Sequence, residues 1–228
     1  ITLPTFTTLA AQPGAPFSIN DIVPIANHLT EAGVVAVKAD SPYKTIEELV
    51  AAAKEKGNLK ASTNGNKASN HTAAQLLAKS AGFKYKAIPY GGTADQLLAL
   101  RQGEVDFTCA KVADVAKLVK GDKPELRVLA VFNTKRDPEL PNVPTLGEKG
   151  LYPEWYGSAR ALVAPKGTKP EVIQYYVEAF KKTMQDPAVI EAHKKAGMAL
   201  DFKDNKELGD LIKAQDKFAR DVVNDLYK

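Results

Sequence analysis

Short apolar runs alternate along the chain with segments in which apolar residues recur every three to four positions. The run Gly33–Lys38 predicts a buried strand. The next segment opens with Thr45 and Glu48 at capping-box spacing, and Gly57 is placed to end that helix. Alternation of this kind predicts an α/β fold with a mostly parallel sheet covered by helices.

The same alternation continues to the end of the chain. Further strands are predicted at 59–63, 85–88, 105–110, 126–132 and 159–164. Further helices are predicted at 71–81, 93–102 and 113–120, from Pro170 onward, and from about Asn205 to the end. In the second of these helices, Thr93 and Gln96 suggest another capping box. Residues 1–10 predict a strand followed by a threonine-rich loop.

Two polar junctions, each between a predicted strand and a predicted helix, are the main candidate binding segments. The candidate residues of the first junction are Ser62, Thr63, Asn64, Gly65, Asn66, Ser69 and His71. Those of the second are Tyr90, Gly91, Gly92, Thr93, Ala94 and Asp95. In a parallel sheet both junctions lie at the carboxyl ends of strands, where ligands normally bind.

The first turn of a helix offers backbone N–H groups without partners, together with a partial positive charge. Two such turns at one edge would bind carboxylate groups without needing an arginine. Ordinary capping and turn chemistry would explain either junction alone, whereas the pair favours a binding site.

Composition and charge are those of an ordinary soluble globular protein, and the mildly basic surface suits an anionic ligand as well as it suits many exported proteins. The 228 residues carry a formal net charge of +4, and the lysines are scattered along the chain. We therefore expect no nucleic-acid partner, because no basic run is interleaved with aromatic residues. No apolar run approaches the roughly 20 residues that span a bilayer. The single cysteine, Cys109, excludes an internal disulfide and a cysteine-based zinc cluster.

Motifs of the common enzyme classes do not occur in the sequence. It contains no G-x-S-x-G elbow, no H-E-x-x-H motif and no phosphate-binding P-loop. The histidines, His28, His71 and His193, have no acidic or cysteine partner at metal-binding spacing. We therefore expect neither a cofactor nor a metal. An enzyme that uses Asp95 or His71 as a base in the same cleft is the alternative.

The most specific longer motif is Leu126-Arg127-Val128-Leu129-Ala130-Val131, followed by Lys135-Arg136 and by Leu140-Pro141-Asn142-Val143-Pro144-Thr145-Leu146. Further motifs are the segments 40–45, 89–92, 103–106 and 164–168. Together these motifs resemble the receptors of tripartite tricarboxylate transporters, the TctC or Bug-type binding proteins. The similarity covers essentially the whole chain. The family's first strand and its Gly-Gly loop have no counterpart in this sequence.

The resemblance implies a type II periplasmic binding protein with two lobes and a ligand cleft, the first lobe being incomplete at its N-terminus. Residues 1–36 and 163–228 would belong to lobe 1, and residues 37–162 to lobe 2. Arg160 would be a ligand or hinge contact, or else a structural ion-pair partner. Thr7, Thr8 and Cys109 complete the candidate ligand contacts.

The resemblance also implies a function. The expected ligand is a di- or tricarboxylate, an acidic amino acid or an aromatic acid. The expected partners are the membrane subunits of the transporter, the expected location is the periplasm, and the expected state is a monomer. A sensor subunit that reports a carboxylate to a signalling partner is a further alternative.

Overall fold

The computed structural model describes residues 1–227, which form two compact units. Unit 1 combines residues 1–31 with the chain from Ser158 onward, and unit 2 is Ala32–Gly157. The lobe boundaries expected from the sequence, 36/37 and 162/163, each lie a few residues C-terminal of the corresponding boundary between the two units.

Eight strands and nine α-helices make up the described chain. The strands are β1 Thr2–Leu3, β2 Ile22–Lys38, β3 Lys60–Thr63, β4 Lys86–Pro89, β5 Phe107–Lys111, β6 Leu126–Phe132, β7 Gly157–Pro165 and β8 Leu200–Lys203. The helices are α1 Thr5–Ala10, α2 Ile46–Lys56, α3 Ser69–Ala81, α4 Thr93–Gln102, α5 Val112–Val115, α6 Pro170–Met184, α7 Pro187–Lys195, α8 Asn205–Phe218 and α9 Asn224–Leu226. A 3₁₀ turn precedes β2, and a π-helical turn joins α8 to α9.

Unit 2 is built on a mixed sheet with the strand order β6-β2-β5-β3-β4. β3 is parallel to β4 and to β5, whereas β2 is antiparallel to β5 and to β6. The expected α/β class is confirmed, but the expectation of a mostly parallel sheet is wrong. Hydrophobic periodicity identifies a strand, but it carries no information on the direction in which that strand pairs.

Of the two capping boxes predicted in unit 2, one is present and the other is not. Thr45 caps α2 as expected, because the Glu48 N–H donates to the Thr45 hydroxyl at 3.2 Å. The second predicted capping box is wrong, since Gly92 is the N-cap of α4 and the Gln96 side chain is fully buried. The predicted helix 113–120 is also reduced to the single turn of α5.

Unit 1 contains the strand order β1-β7-β2-β8, with β1 and β7 antiparallel and β2 and β8 antiparallel. Residues 5–10 form α1 and not the expected threonine-rich loop. α7 and β8 were not predicted from the sequence. Two apolar clusters form the interior, one around Leu3, Leu208 and Ile212 and the other around Ile25 and Ile173.

A pair of histidines joins α7 to β2 within unit 1. The Nε2 atoms of His28 and His193 are 2.6 Å apart, and Nδ1 of His193 lies 2.7 Å from the Val189 carbonyl oxygen. Because a carbonyl only accepts, His193 carries its proton on Nδ1 and accepts from His28 at Nε2. Burial, the neighbouring His193 and Arg160 all lower the pKa of His28. The folded protein therefore favours the neutral His28 ring.

Acidification should therefore destabilise the protein through His28. In the unfolded chain His28 takes up a proton near its ordinary pKa of 6.5, whereas the folded protein resists that proton. This contribution to stability is complete above the unfolded pKa of 6.5 and is lost as the pH falls from there through the lower pKa of the folded protein. We expect urea midpoints to fall further from about pH 7.5 to about pH 5.5 in the wild type than in His28→Phe. Equal decreases would contradict this expectation.

Candidate functional site

Three parallel strands of unit 2 end at the same edge of its sheet. β3 ends at Thr63 and β4 ends at Pro89, and these two residues are direct partners in the ladder. β5 runs parallel to β3 and ends at Lys111. We call this the β3–β4–β5 edge. Because α3 and α4 begin directly after β3 and β4, the N-termini of both helices lie at this edge.

The first junction is a tight turn held by side-chain hydrogen bonds. Gly65 has a φ of 115° and Lys67 a φ of 56°, both in the left-handed region. The Asn64 Oδ1 atom accepts from the Asn70 N–H at 3.2 Å, which serves one of the free N–H groups in the first turn of α3. The turn therefore sets the direction in which α3 begins.

His71 contributes a defined tautomer to the first turn of α3. Its Nδ1 atom accepts from the Lys67 N–H at 3.0 Å, so the ring proton of the neutral form lies on Nε2. Burial lowers the pKa of His71, which favours the neutral ring. His71 is therefore a hydrogen-bond donor at this edge and not a cation.

The other candidates in the first junction differ in accessibility. Ser62 and Thr63 are fully buried within β3, and Ser69 is buried at the start of α3. Asn66 is exposed. The Ser62 hydroxyl donates to Thr108 Oγ1 at 3.0 Å and so belongs to the interior.

The second junction presents backbone groups more than side chains. Thr93, Ala94 and Asp95 form the first turn of α4, and their N–H groups have no acceptor within the helix. Gly91 and Gly92 precede them, and a Cβ atom added to Gly91 would meet only Asp95 Oδ2, at 3.5 Å. The hydroxyl of Tyr90 donates to Glu104 at 3.1 Å, and burial and this bond raise the pKa of Tyr90. Tyr90 therefore contributes its backbone to the junction.

A buried polar network links the first turns of α3 and α4. The Gln96 side-chain NH₂ donates to Thr108 Oγ1 at 2.5 Å and to the Cys109 carbonyl at 2.6 Å. Asn70 Nδ2 donates to Gln96 Oε1 at 2.9 Å. Because a backbone carbonyl only accepts, these bonds fix the orientation of both side-chain amides. The network therefore holds the two helix N-termini at a set separation.

Lys111 places a buried cation at the same edge. Lys111 as a whole is 4% exposed, and its Nζ donates to Ser69 Oγ at 3.2 Å and to Asn70 Oδ1. Both acceptors lie in the first turn of α3. The β3–β4–β5 edge therefore combines two helix N-termini with an ammonium group, a set of groups that attracts anions.

The remaining candidates are Arg160, Thr7 and Thr8 of unit 1 and Cys109 of β5. Arg160 in unit 1 forms an ion pair with the buried Glu31, with Nη2 3.2 Å from Oε2. Thr7 and Thr8 are buried in α1, where the Thr7 hydroxyl donates to the Pro4 carbonyl at 2.9 Å. Cys109 is fully buried in β5, and burial raises the pKa of its thiol to about 12. The proposed site is built from unit 2 alone, and ligand contacts by these four residues stay predictions.

Sequence reasoning missed Lys111, Gln96 and Thr108 as parts of this arrangement. For Lys111 a signal was present, because it directly follows an apolar strand and precedes a helix, the same position as the two junctions. Gln96 was interpreted as a cap because its spacing from Thr93 fits one. Thr108, inside an apolar run, gave no signal.

Two kinds of feature are absent from residues 1–227. No cluster of three or more histidine, cysteine, aspartate or glutamate side chains is placed to hold a metal ion. Over the same residues, no helix combines the length and the apolar character needed to cross a membrane.

Comparisons with known proteins agree on one family. The model of the "Tripartite tricarboxylate transporter family receptor" matches residues 3–226. A UPF0065 protein of Cupriavidus necator is 37% identical over 170 residues, which cover 74% of this chain and 50% of that protein. The chain therefore spans about half the length of this curated relative.

Solved structures show the same fold. A TctC solute binding protein from Polaromonas superposes with a TM-score of 0.80 at 26% identity, over 99% of this chain and 76% of that one. MatC from Rhodopseudomonas palustris, a structure with bound malate, gives a TM-score of 0.86 at 20% identity. That match covers 95% of this chain and 75% of MatC. The expected likeness to periplasmic binding proteins is confirmed.

Proposed function

Because this chain belongs to the tripartite tricarboxylate transporter receptor family, we propose that it is an extracytoplasmic solute-binding receptor that captures a small carboxylate. The ligand binds at the β3–β4–β5 edge and is released unaltered to the membrane subunits of the transporter. The proposed location is the periplasm, where receptors of this family reside.

The observation that carries the proposal is the convergence of two helix N-termini on one edge. The first turns of α3 and α4 follow neighbouring parallel strands, and the Asn70–Gln96 hydrogen bond of 2.9 Å joins them. N–H groups at helix starts bind carboxylate oxygens and add a favourable dipole. These interactions would hold a carboxylate without any covalent reaction, as a receptor requires.

Two further observations support a carboxylate ligand. The Lys111 ammonium lies at the same edge. MatC, which shares the fold, is described with bound malate, a small dicarboxylate. The proposed ligand class comprises di- and tricarboxylates, acidic amino acids and aromatic acids.

A ligand panel tests the proposed function. We expect at least one of succinate, malate, adipate, citrate, aspartate and benzoate to raise the melting temperature and to bind in calorimetry. Mass spectrometry of the recovered ligand should then show the same molecule. Chemical conversion of the ligand would support the alternative, an enzyme that uses Asp95 or His71. Failure of every acid to bind would contradict the receptor proposal.

Replacing Thr93 by proline should weaken carboxylate binding while the fold is retained. Proline is well tolerated at the first position of a helix, but it removes one of the N–H groups aimed at the ligand. A lost hydrogen bond to a charged group costs about 1.5–3 kcal/mol, so we expect Kd to rise by about 10- to 100-fold in calorimetry.

Thr93→Ala is the matched control, since it removes the hydroxyl and keeps the N–H. Gly91→Val should also weaken binding, because it adds a side chain where the backbone is open to a ligand. If both Thr93→Pro and Gly91→Val bound the ligand with wild-type affinity, the two-junction site would be ruled out.

A further inference from the structure

We propose that a groove on unit 2 lined by Lys54, Lys79 and Lys84, the lysine groove, is a docking site for an acidic protein segment with an apolar anchor side chain. It lies at the opposite ends of β3 and β4 from the β3–β4–β5 edge. The inference rests on the proposed function, under which this segment belongs to a membrane subunit of the transporter. It adds a partner surface that is separate from the proposed ligand site.

The fold places the groove where two parallel strands begin. Lys60 starts β3 and Lys86 starts β4, and these two residues are direct partners in the ladder. α2 ends shortly before β3 and α3 ends shortly before β4, so the C-termini of both helices lie at this edge. The step from Lys60 to Thr63 along β3 separates the two edges by about 10 Å.

Charge at this edge is strongly positive, although neither contributing segment is a basic run. Residues 53–60 and 78–86 carry six lysines and one glutamate, a net charge of +5, whereas the whole chain carries +4. The C-termini of α2 and α3 add about one negative elementary charge between them, which the lysines exceed. The fold therefore concentrates charge that is scattered along the sequence.

The three lysines of the groove are available to a partner. Lys54, Lys79 and Lys84 are exposed, and none of the ion pairs found among residues 1–227 includes them. No acidic side chain is among the described residues that line the groove. Asp106, just before β5, accepts instead from the Lys60 N–H at 2.7 Å. Carboxylates of a partner would therefore meet cations without competition from the groove itself.

The groove has an apolar floor, which decides between two kinds of acidic partner. Ala53, Ala78 and Phe83 line it and are at most 8% exposed. Gly57 and Gly82 leave its wall open, since a Cβ atom added to either would meet no atom within 4 Å. The volume of about 420 Å³ receives an apolar side chain. A flat anionic bilayer would leave this space unfilled, whereas a protein segment fills it and pairs its acids with the lysines on the rim.

The test measures binding to the membrane subunits with two matched variants. The subunits are reconstituted in nanodiscs of zwitterionic phosphatidylcholine, and biolayer interferometry gives Kd in the presence of the carboxylate that binds most tightly. One variant is Lys54→Glu/Lys79→Glu/Lys84→Glu. The control is Lys181→Glu/Lys182→Glu/Lys194→Glu, which changes three exposed lysines in the last turns of α6 and α7 and so alters the net charge equally.

We expect the groove variant to bind the subunits at least about tenfold more weakly than the wild type, because attraction becomes repulsion at three positions. The control should stay within about threefold of the wild type. Both variants should bind the carboxylate within about threefold of the wild type, since salt screens charges beyond about 8 Å. Wild-type binding of the subunits by the groove variant, or equal losses in both variants, would overturn the inference.

A cross-linking measurement identifies the occupant even where the triple variant does not fold. Lys84→Cys is labelled briefly with a benzophenone maleimide, which the fully buried Cys109 does not meet. We expect a cross-link to a segment of a membrane subunit that contains both acidic and apolar residues, and little cross-linking from Lys182→Cys. Cross-links to lipid, or to a segment without acidic residues, would overturn the proposal.

Two further outcomes separate the inference from the proposed function. Binding to protein-free nanodiscs that contain phosphatidylglycerol, lost in the groove variant alone, would assign the groove to a membrane surface and overturn the inference while the receptor function stands. A wild-type protein that binds a carboxylate but not the subunits would contradict its role in the transporter, and the inference would fail with it.

Discussion

Phe107→Ala should lower the free energy of unfolding of unit 2 by about 3–5 kcal/mol, the usual loss for a fully buried aromatic ring. Phe107 begins β5 and has no exposed surface. Its ring packs edge-on against Tyr85 at 5.6 Å and Phe83 at 6.3 Å between centroids. Truncation removes these contacts and leaves a cavity under the central parallel strands, which cannot collapse without distorting the ladder.

Urea unfolding followed by tryptophan fluorescence measures this loss. The single tryptophan, Trp155, packs against the core of unit 2 and so reports on that unit. Leu98→Ala is the control, because Leu98 is 45% exposed on α4 and its truncation should change stability by about 0.5 kcal/mol or less. Similar losses in the two variants would show that Phe107 does not support the core in the way described.

Gln96→Leu should impair both stability and ligand binding. Leucine fits the buried volume but removes the partners of Asn70 Nδ2 and of the Cys109 carbonyl. Unsatisfied buried polar groups cost about 1–3 kcal/mol each, so for these two groups we expect the free energy of unfolding to fall by about 2–6 kcal/mol. With the link between α3 and α4 broken, Kd for the best carboxylate should also rise by at least about tenfold.

The matched control for this variant is Gln102→Leu, at the exposed end of the same helix. It makes the same chemical change without disturbing the network, so its midpoint and its Kd should remain close to the wild type. A Gln96→Leu protein with wild-type stability and affinity would show that the network does not brace the edge.

Strand positions were largely predictable, because buried strands are continuous apolar runs. β6 occupies the residues expected for it, Leu126–Phe132. β3 begins one residue later than expected, and β4 is shifted by one residue at both ends. Strand direction was not predictable from periodicity, which is why the antiparallel pairing of β2 with β5 was missed.

The missed helices lack the pattern that identifies a helix from sequence. α7 is only nine residues long and has no buried residue, although Asp186 caps it and Pro187 begins it. α1 is rich in threonine, a weak helix former, and it packs against α8 far along the chain. Tertiary contacts decide such segments, and a single sequence does not reveal them.

In the candidate site, too, features set by local sequence were predictable and features set by long-range contacts were not. The junctions were predictable because glycine, asparagine and threonine at strand–helix boundaries have local meaning. Gln96 was misinterpreted because its true partners, Asn70 and the Cys109 carbonyl, are 26 and 13 residues away in sequence. Long-range hydrogen bonds of this kind leave no local signature.

The burial of Cys109 has a practical consequence for measuring motion at the site. It is the only cysteine in the chain, and a thiol-specific reagent reaches it only when β5 opens. The high pKa of the thiol further suppresses the reactive thiolate in the closed state. The rate at which Cys109 is labelled in native buffer therefore reports how often β5, the strand that carries Lys111, opens. No probe has to be introduced by mutation.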